Sequence, residues 1–311
     1  MKISPTMLST FEQSQFAWLR QYIGVPTRSV NGETWILVKM RDKQNEAMAA
    51  GSAFDAYIKS HLSGTLVPVT KSKYWSVEPW NQEYGIRIGK YLFDEYIKLG
   101  GVTMLQEEFG THIPMMEEKI AGEIVINDSE GGNHAGNHVV QIGGFPDLFW
   151  PNNIRDWKVS QINNPKPTIA AGYQTLTGPA SVLPARADSI IIDGKPAARH
   201  PLAGANLNDL LPKESTQLTF YGWLAGMGHV CNNQGSWIPE PILGGIDRLV
   251  GMPLRLVRYR GIITVDFQIK VMERLLACSQ FADEWADEGE AALLEKLIPM
   301  LPLLTEKHKW F

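Results

Sequence analysis

The segment FPDLFWPNNIRDWKVS, residues 145–160, is mostly apolar yet carries Asp147, Asp156 and Lys158. Burying two acids and a lysine is costly unless they pair or hold a cation. Two carboxylates set side by side repel, and a cation between them removes the repulsion. Hard carboxylate oxygens with positions left for water suit magnesium or manganese. A lysine beside such an ion can orient a water or stabilise the charge that develops on a phosphate. The chemistry these residues could do is hydrolysis of a phosphodiester. The competing reading is a surface salt bridge between Asp156 and Lys158, with Asp147 a residue at a strand end. Spacing alone does not separate the two.

What positions these groups is a turn. Pro151, Asn152 and Asn153 are turn residues between two apolar runs, so the segment reads as an antiparallel hairpin. Side chains alternate faces along a strand, which puts Asp156 and Lys158 on one face and Trp157 on the other, toward the core. Residues directly opposite each other share a face. A two-residue loop pairs Asp147 with Asp156, and a four-residue loop pairs it with Lys158. A plain three-residue loop pairs it with Trp157 and separates the charges. The reading therefore requires an even loop or a bulge.

This constellation resembles the PD-(D/E)XK nuclease superfamily, and most closely its RecB-like exonuclease branch in phage-type members. GGFPDLF is similar to the second motif of that family, with Asp147 as a metal acid, and RDWKVS to the third, with Asp156 as the second acid and Lys158 as the catalytic lysine. Three further stretches match in order. SPTMLSTF (4–11) looks like the opening helix motif S-x-x-x-L-x-x-F. GSAFD (51–55) is similar to a helix that opens with glycine and carries a metal-ligating histidine, with Asp55 in place of the histidine. QLTFY (217–221) fits Q-x-x-x-Y, and Gln217 and Tyr221, four apart, share a helical face. The closing strands 246–267 are also similar to phage-type members.

The resemblance implies an α/β fold with a central mixed sheet flanked by helices, a restriction-endonuclease-like core with added N- and C-terminal helices. It implies Mg2+ or Mn2+ held by Asp55, Asp147 and Asp156, with Lys158 positioning the water, and Gln217 and Tyr221 supporting the lysine and contacting DNA. The function expected is a DNA nuclease, with exonuclease action in phage-type recombination or processing favoured. The partners expected are DNA, a recombinase or annealing protein, and further copies of the chain as a homo-oligomer. The alternatives are a non-catalytic DNA-binding or assembly subunit that keeps the fold, and a metal-dependent RNase. Some RecB-like nucleases bind an iron–sulfur cluster through four cysteines; here Ser14 stands near the place of the first, and no cluster is expected.

The elements that must carry these residues follow from periodicity. Helices are predicted from Ser4 to Tyr22 with one polar break, and over 48–62, 81–99, 213–227, 267–280 and 288–301. Strands are predicted over 104–113, 119–126, 139–150, 154–159, 242–249 and 254–266. Glu107 and Glu108 lie on the first of these; the resemblance implies a glutamate near the site there, and alternation lets only one of the two face inward. Residues 165–212, rich in Pro, Gly and Ala, read as an irregular insertion in a single 1–311 domain, with one small hairpin.

The 311 residues allow one large domain or two modest ones, and the net charge of −4 marks no global nucleic-acid field. Any DNA contact would need local basic groups. Arg248, Arg255, Arg258 and Arg260 read as a phosphate track or as a charged edge strand. Lys71, Lys73, Trp75 and Trp80 read as a stacking loop or as core. His134 and His138 have zinc spacing, but in GGNHAGNH they read as a turn. Cys231 and Cys278 are the only cysteines, which fits a reducing, cytoplasmic setting without a disulfide framework. Neither a signal core nor a membrane span is read in the sequence.

Overall fold

A computed structural model describes residues 1–40, 45–65, 79–116, 120–127, 137–160, 191–192, 195–196, 212–231, 237–239 and 241–305. In chain order, α1 (Pro5–Gln13) and α2 (Gln15–Trp18) lead through a π-helical turn (Leu19–Ile23) to β1 (Val25–Arg28) and β2 (Trp35–Val38). Three helices follow, α3 (Glu46–Ser63), α4 (Pro79–Lys98) and α5 (Gly101–Phe109). Next come β3 (Ile120–Asn127), β4 (Asn137–Gly144), β5 (Leu148–Trp150), β6 (Asn153–Ser160), β7 (Ile191–Ile192) and β8 (Lys195–Pro196). The rest is α6 (Pro212–Leu224), β9 (His229–Cys231), β10 (Trp237–Pro239), β11 (Ile242–Val250), β12 (Arg255–Ile263), α7 (Val265–Ala286), α8 (Glu290–Leu297) and α9 (Leu301–Thr305). The protein is thus mixed α/β, and among the described residues no helix is long and apolar enough to cross a membrane.

The chain divides into two compact units, one of Met1–Asp42, Ala121–Gly144 and Ile269–Phe311, the other of Lys43–Ile120 and Phe145–Gln268. In the first, Ser4 caps α1 by accepting a hydrogen bond from the Met7 N–H at 3.2 Å, with Pro5 in the first turn. The predicted first helix is cut at Ser14, whose backbone is extended and whose hydroxyl accepts from Ala17 N–H to begin α2. Serine competes for backbone hydrogen bonds in this way and so favours caps over helix interiors.

The second unit holds all the candidate site residues. Its main sheet has the order β12-β11-β6-β5, with β6 and β11 parallel and the other pairs antiparallel. One face carries Leu148, Trp150, Trp157, Leu249 and Leu256, packed against Phe54 and Ile58 of α3, Leu92 and Tyr96 of α4, and Val102 and Leu105 of α5. On the other face α6 lies over β6 and β11. A Cβ at Gly222 would lie 2.7 Å from Ile242 Cδ1, so only glycine permits this close approach of α6 to β11. Sheet curvature aside, this is a mixed sheet with helices on both faces.

Two sequence expectations fail here. Residues 104–113 are not a strand, because α5 occupies Gly101–Phe109. Val102 and Leu105 are buried and Phe109 packs against them, which is the i, i+3, i+7 spacing of a helix face. The predicted strand 139–150 is two strands in two different sheets, β4 and β5. Pro146 lies between them, and it can neither donate a ladder hydrogen bond nor adopt a free φ. The hairpin expected within 165–212 is present as β7 and β8; the remainder of that insertion lies outside the described residues.

Candidate active site

β5 and β6 are joined by a two-residue turn, with Trp150 paired to Asn153 and Leu148 to Arg155. Asn152 takes the turn's left-handed position, φ 60°, which asparagine tolerates. Continuing this register by one residue sets Asp147 opposite Asp156, as the even-loop arithmetic requires. β5 stops at Leu148, so the Trp157 backbone N–H finds no strand partner there and donates instead to Asp147 Oδ2 at 3.3 Å. The carboxyls of Asp147 and Asp156 are within hydrogen-bonding reach of each other.

Lys158 lies on the same face as Asp156, its ammonium 2.6 Å from Asp156 Oδ2. The contact is an ion pair without hydrogen-bond geometry. Both Asp156 oxygens are buried and receive no hydrogen bond of good geometry. The Asp156 side chain is 2% exposed and that of Lys158 33%, so the acid is sealed while the lysine side chain is partly exposed.

α3 adds a second layer that sequence reasoning missed in part. Asp55 Oδ1 accepts from Trp157 Nε1 at 2.6 Å, and Asp55 Oδ2 accepts from Lys59 Nζ at 2.7 Å. The Lys59 ammonium also reaches Asp147 Oδ1 at 3.5 Å and lies 5.8 Å from the centre of the Trp157 ring. Trp157 therefore faces the core, as alternation demands, and ties Asp55 to β6 as well. Lys59 had a legible signal, a lysine four residues after an acid on a predicted helix. The indole contact had none.

These contacts split the acids electrostatically. Burial and the Asp147 charge push the Asp55 carboxyl up to about 7, against the pull of Lys59. Burial alone would raise Asp147 too, but Lys59, the hydrogen bond with Asp156 and the Lys158 charge hold it below the ordinary range. Burial drives Asp156 well above that range, with Lys158 opposing and Asp147 adding to the rise. Burial would lower Lys158, yet the charges of Asp156 and Asp147 raise it. Asp147 thus holds its charge more firmly than Asp156 or Asp55.

α6 brings a polar stripe to this face. Glu214, Gln217 and Tyr221 recur at helical spacing and are all half-buried. Gln217 Nε2 donates to Tyr221 Oη at 3.0 Å. Glu214 accepts from Arg248 Nη2 at 2.7 Å, and its charge helps to raise Lys158. Arg248 is the β11 partner of Lys158 in the parallel ladder. The structure thus places Gln217 and Tyr221 on the stripe whose first member acts on Lys158.

The opposite face carries a different charge network. Arg258, 1% exposed, donates to Asp247 Oδ1 at 3.1 Å and also pairs with Glu108; Glu108 accepts from Arg155 Nε at 2.8 Å. Tyr96 donates to Asp247 Oδ2 at 2.6 Å. Of the two upstream glutamates, Glu108 turns inward and Glu107 is exposed, but Glu108 serves this buried cluster and not the face of Asp156. Arg258 is sealed within the same cluster, which removes it from the proposed phosphate track. The side chains of Arg260 and Trp80 lie outside what the structure describes, as do His134, His138, Lys71, Lys73 and Trp75; Trp80 itself belongs to the first turn of α4.

As donors for a cation, Asp147 and Asp156 fit a hard divalent ion with water completing its shell. Both Asp156 oxygens are buried without a hydrogen bond of good geometry, and such an ion would satisfy them beside the Lys158 ammonium. Asp55 has both oxygens engaged by Trp157 and Lys59. Among the described residues no group of three or more His, Cys, Asp and Glu side chains is arranged to hold a metal ion.

No family model matches the chain, and no curated protein matches it. One solved structure, "Crystal structure of SSO0001", aligns with 76% of this chain and 77% of its own at 11% identity and a TM-score of 0.26.

Proposed function

We propose that the chain is a divalent-metal-dependent nuclease with a restriction-endonuclease-like core. Asp147 and Asp156 are its metal acids, Lys158 is the catalytic lysine, and Asp55 is an acid that acts through Lys59 and Trp157. The observation that carries this reading is the two-residue turn that sets Asp147 against Asp156 with Lys158 on the same face. An acid 2% exposed, with a second acid set against it, is more than one half of a surface salt bridge. Magnesium or manganese, when bound, supplies a Lewis acid for the phosphate and lowers the pKa of a water.

The chain's own residues do the rest. Asp156 holds the Lys158 ammonium at the edge of the buried cluster, where it can meet a phosphate oxygen or orient a water. Glu214 and Arg248 bracket Lys158 on the sheet, and Gln217 and Tyr221 present a hydrogen-bonded pair along the same helix stripe. DNA as substrate, exonuclease action and a recombination partner follow from the resemblance to the RecB-like branch.

A second reading has one observation in its favour. The Lys59 ammonium already neutralises Asp55 and Asp147, as in a non-catalytic DNA-binding subunit that has no need of metal. One assay separates the two. End-labelled single- and double-stranded DNA, with an RNA control, is incubated with manganese and either the natural chain or Lys158→Ala. The nuclease reading expects cleavage that falls about a hundredfold or more in the variant, the scale of losing one group that stabilises transition-state charge. Equal cleavage by both proteins removes Lys158 from the reaction, and no cleavage by either favours the binding subunit.

A further inference from the structure

We infer that Lys59 is a resident counter-cation of the acid cluster, and that it competes with a divalent ion for Asp147. The inference rests on the reading of Asp147 and Asp156 as metal acids. It assigns to Lys59 control over how tightly that site takes a divalent cation.

The geometry is that of a cation built into the protein. The Lys59 side chain is 7% exposed, and an ammonium so buried must be paired. Its ion pairs with these acids are unequal, 2.7 Å to Asp55 and 3.5 Å to Asp147. Asp55 is in turn fixed by Trp157 Nε1 at 2.6 Å, so it cannot swing toward the other acids and serves as the mount for Lys59. The ammonium belongs to Asp55 and leans on Asp147. A divalent ion at Asp147 would meet a positive charge at that short range, and releasing Asp147 leaves the Asp55 pair intact.

On the far side of the cluster the balance is opposite. Asp156 is held only by the partly exposed Lys158, whose ammonium lies 2.6 Å from Oδ2, so this acid has no buried counter-ion of its own comparable to Lys59. With every member ionised, Asp55, Asp147, Asp156, Lys59 and Lys158 carry one net negative charge. A divalent ion reverses that sign. Without Lys59 the same ion enters a cluster of two net negative charges and leaves it neutral, and its affinity rises by the full repulsion of a near, poorly screened charge.

The test is manganese binding to the full chain by titration calorimetry at pH 8, comparing the natural chain with Lys59→Met. The expected result is a Kd lowered about tenfold or more by the substitution, since a like charge at this range costs more than one decade even in a moderately polarisable site. An unchanged or weaker Kd overturns the inference; Lys59 would then be a bystander, or a holder of Asp147 that metal binding needs. Should Lys59→Met fail to fold because Asp55 is left unpaired, Asp55→Asn combined with Lys59→Met is measured against Asp55→Asn alone, with the same tightening expected. Manganese-dependent cleavage with an unchanged Kd overturns the inference and leaves the nuclease reading standing. Tighter binding without cleavage of any nucleic acid does the reverse. No manganese binding by any of these proteins overturns both.

Discussion

Replacing Asp156 by asparagine should stabilise the metal-free protein. Asp156 is 2% exposed, its oxygens make no hydrogen bond of good geometry apart from the close Lys158 ion pair, and Asp147 adds a like charge beside it. Its carboxyl is driven well above the ordinary range by burial, which fixes the sign of the effect. A carboxyl with a higher pKa folded than unfolded favours the folded state in its protonated form. That advantage is full below the unfolded pKa and is lost as pH rises through the folded one, so at pH 8 the acid is a burden. Asparagine carries no charge, and its amide can donate to Asp147. An uncompensated buried polar group costs about 1–3 kcal/mol. Against this stands the lost ion pair of Lys158, a group 33% exposed, worth at most about 1 kcal/mol. The net gain is therefore up to about 2 kcal/mol, or up to roughly 8 °C in Tm for a domain of this size class. Scanning calorimetry in EDTA at pH 8 and pH 5 measures it. The gain should be larger at pH 8 and shrink at pH 5. A lower Tm for Asp156→Asn at pH 8, or an equal gain at both pH values, would refute the view that this acid is retained at the expense of stability.

Two other substitutions probe the supports. Asp247→Leu leaves Arg258, 1% exposed, without one of its acids and Tyr96 without its acceptor; breaking a buried pair in this way costs about 3–5 kcal/mol, readable as a fall in the urea midpoint. Trp157→Phe keeps the ring in the core but removes the donor to Asp55, a loss of about 1.5–3 kcal/mol for a hydrogen bond to a charged group. The same change should move the Asp55 carboxyl above its value of about 7, followed by carbon-13 titration of that side chain.

The site was legible where chemistry and local geometry coincide. The turn residues Pro151, Asn152 and Asn153 marked the hairpin but left its loop length open; the structure selects two residues, and with period-2 alternation that length decides which acids meet. The helices bearing Asp55 and Gln217 were legible because their apolar periodicity is long. Residues 104–113 misled because a short segment with apolar residues at several spacings suits a strand or a helix, and only packing against α3 and α4 selects the helix. Strand 139–150 misled because the apolar run continues across Pro146, whose missing N–H breaks it. Lys59 had a local signal in its spacing from Asp55, but its reach to Asp147 and the bond from the Trp157 indole to Asp55 join elements far apart in the chain. Arg258 was misjudged for the same reason: its partners Glu108 and Asp247 come from α5 and β11, and they turn a surface-like arginine into a buried one.

The central claim is that Asp147 and Asp156 converge on one divalent cation beside Lys158. Anomalous diffraction at the manganese edge, from crystals of the full chain soaked in manganese chloride, tests it most directly. The account predicts a peak between the two carboxylates, on the Lys158 face of the sheet, that disappears in Asp156→Asn crystals. Saturating manganese with no peak at these acids, or a peak that survives the substitution, would contradict it.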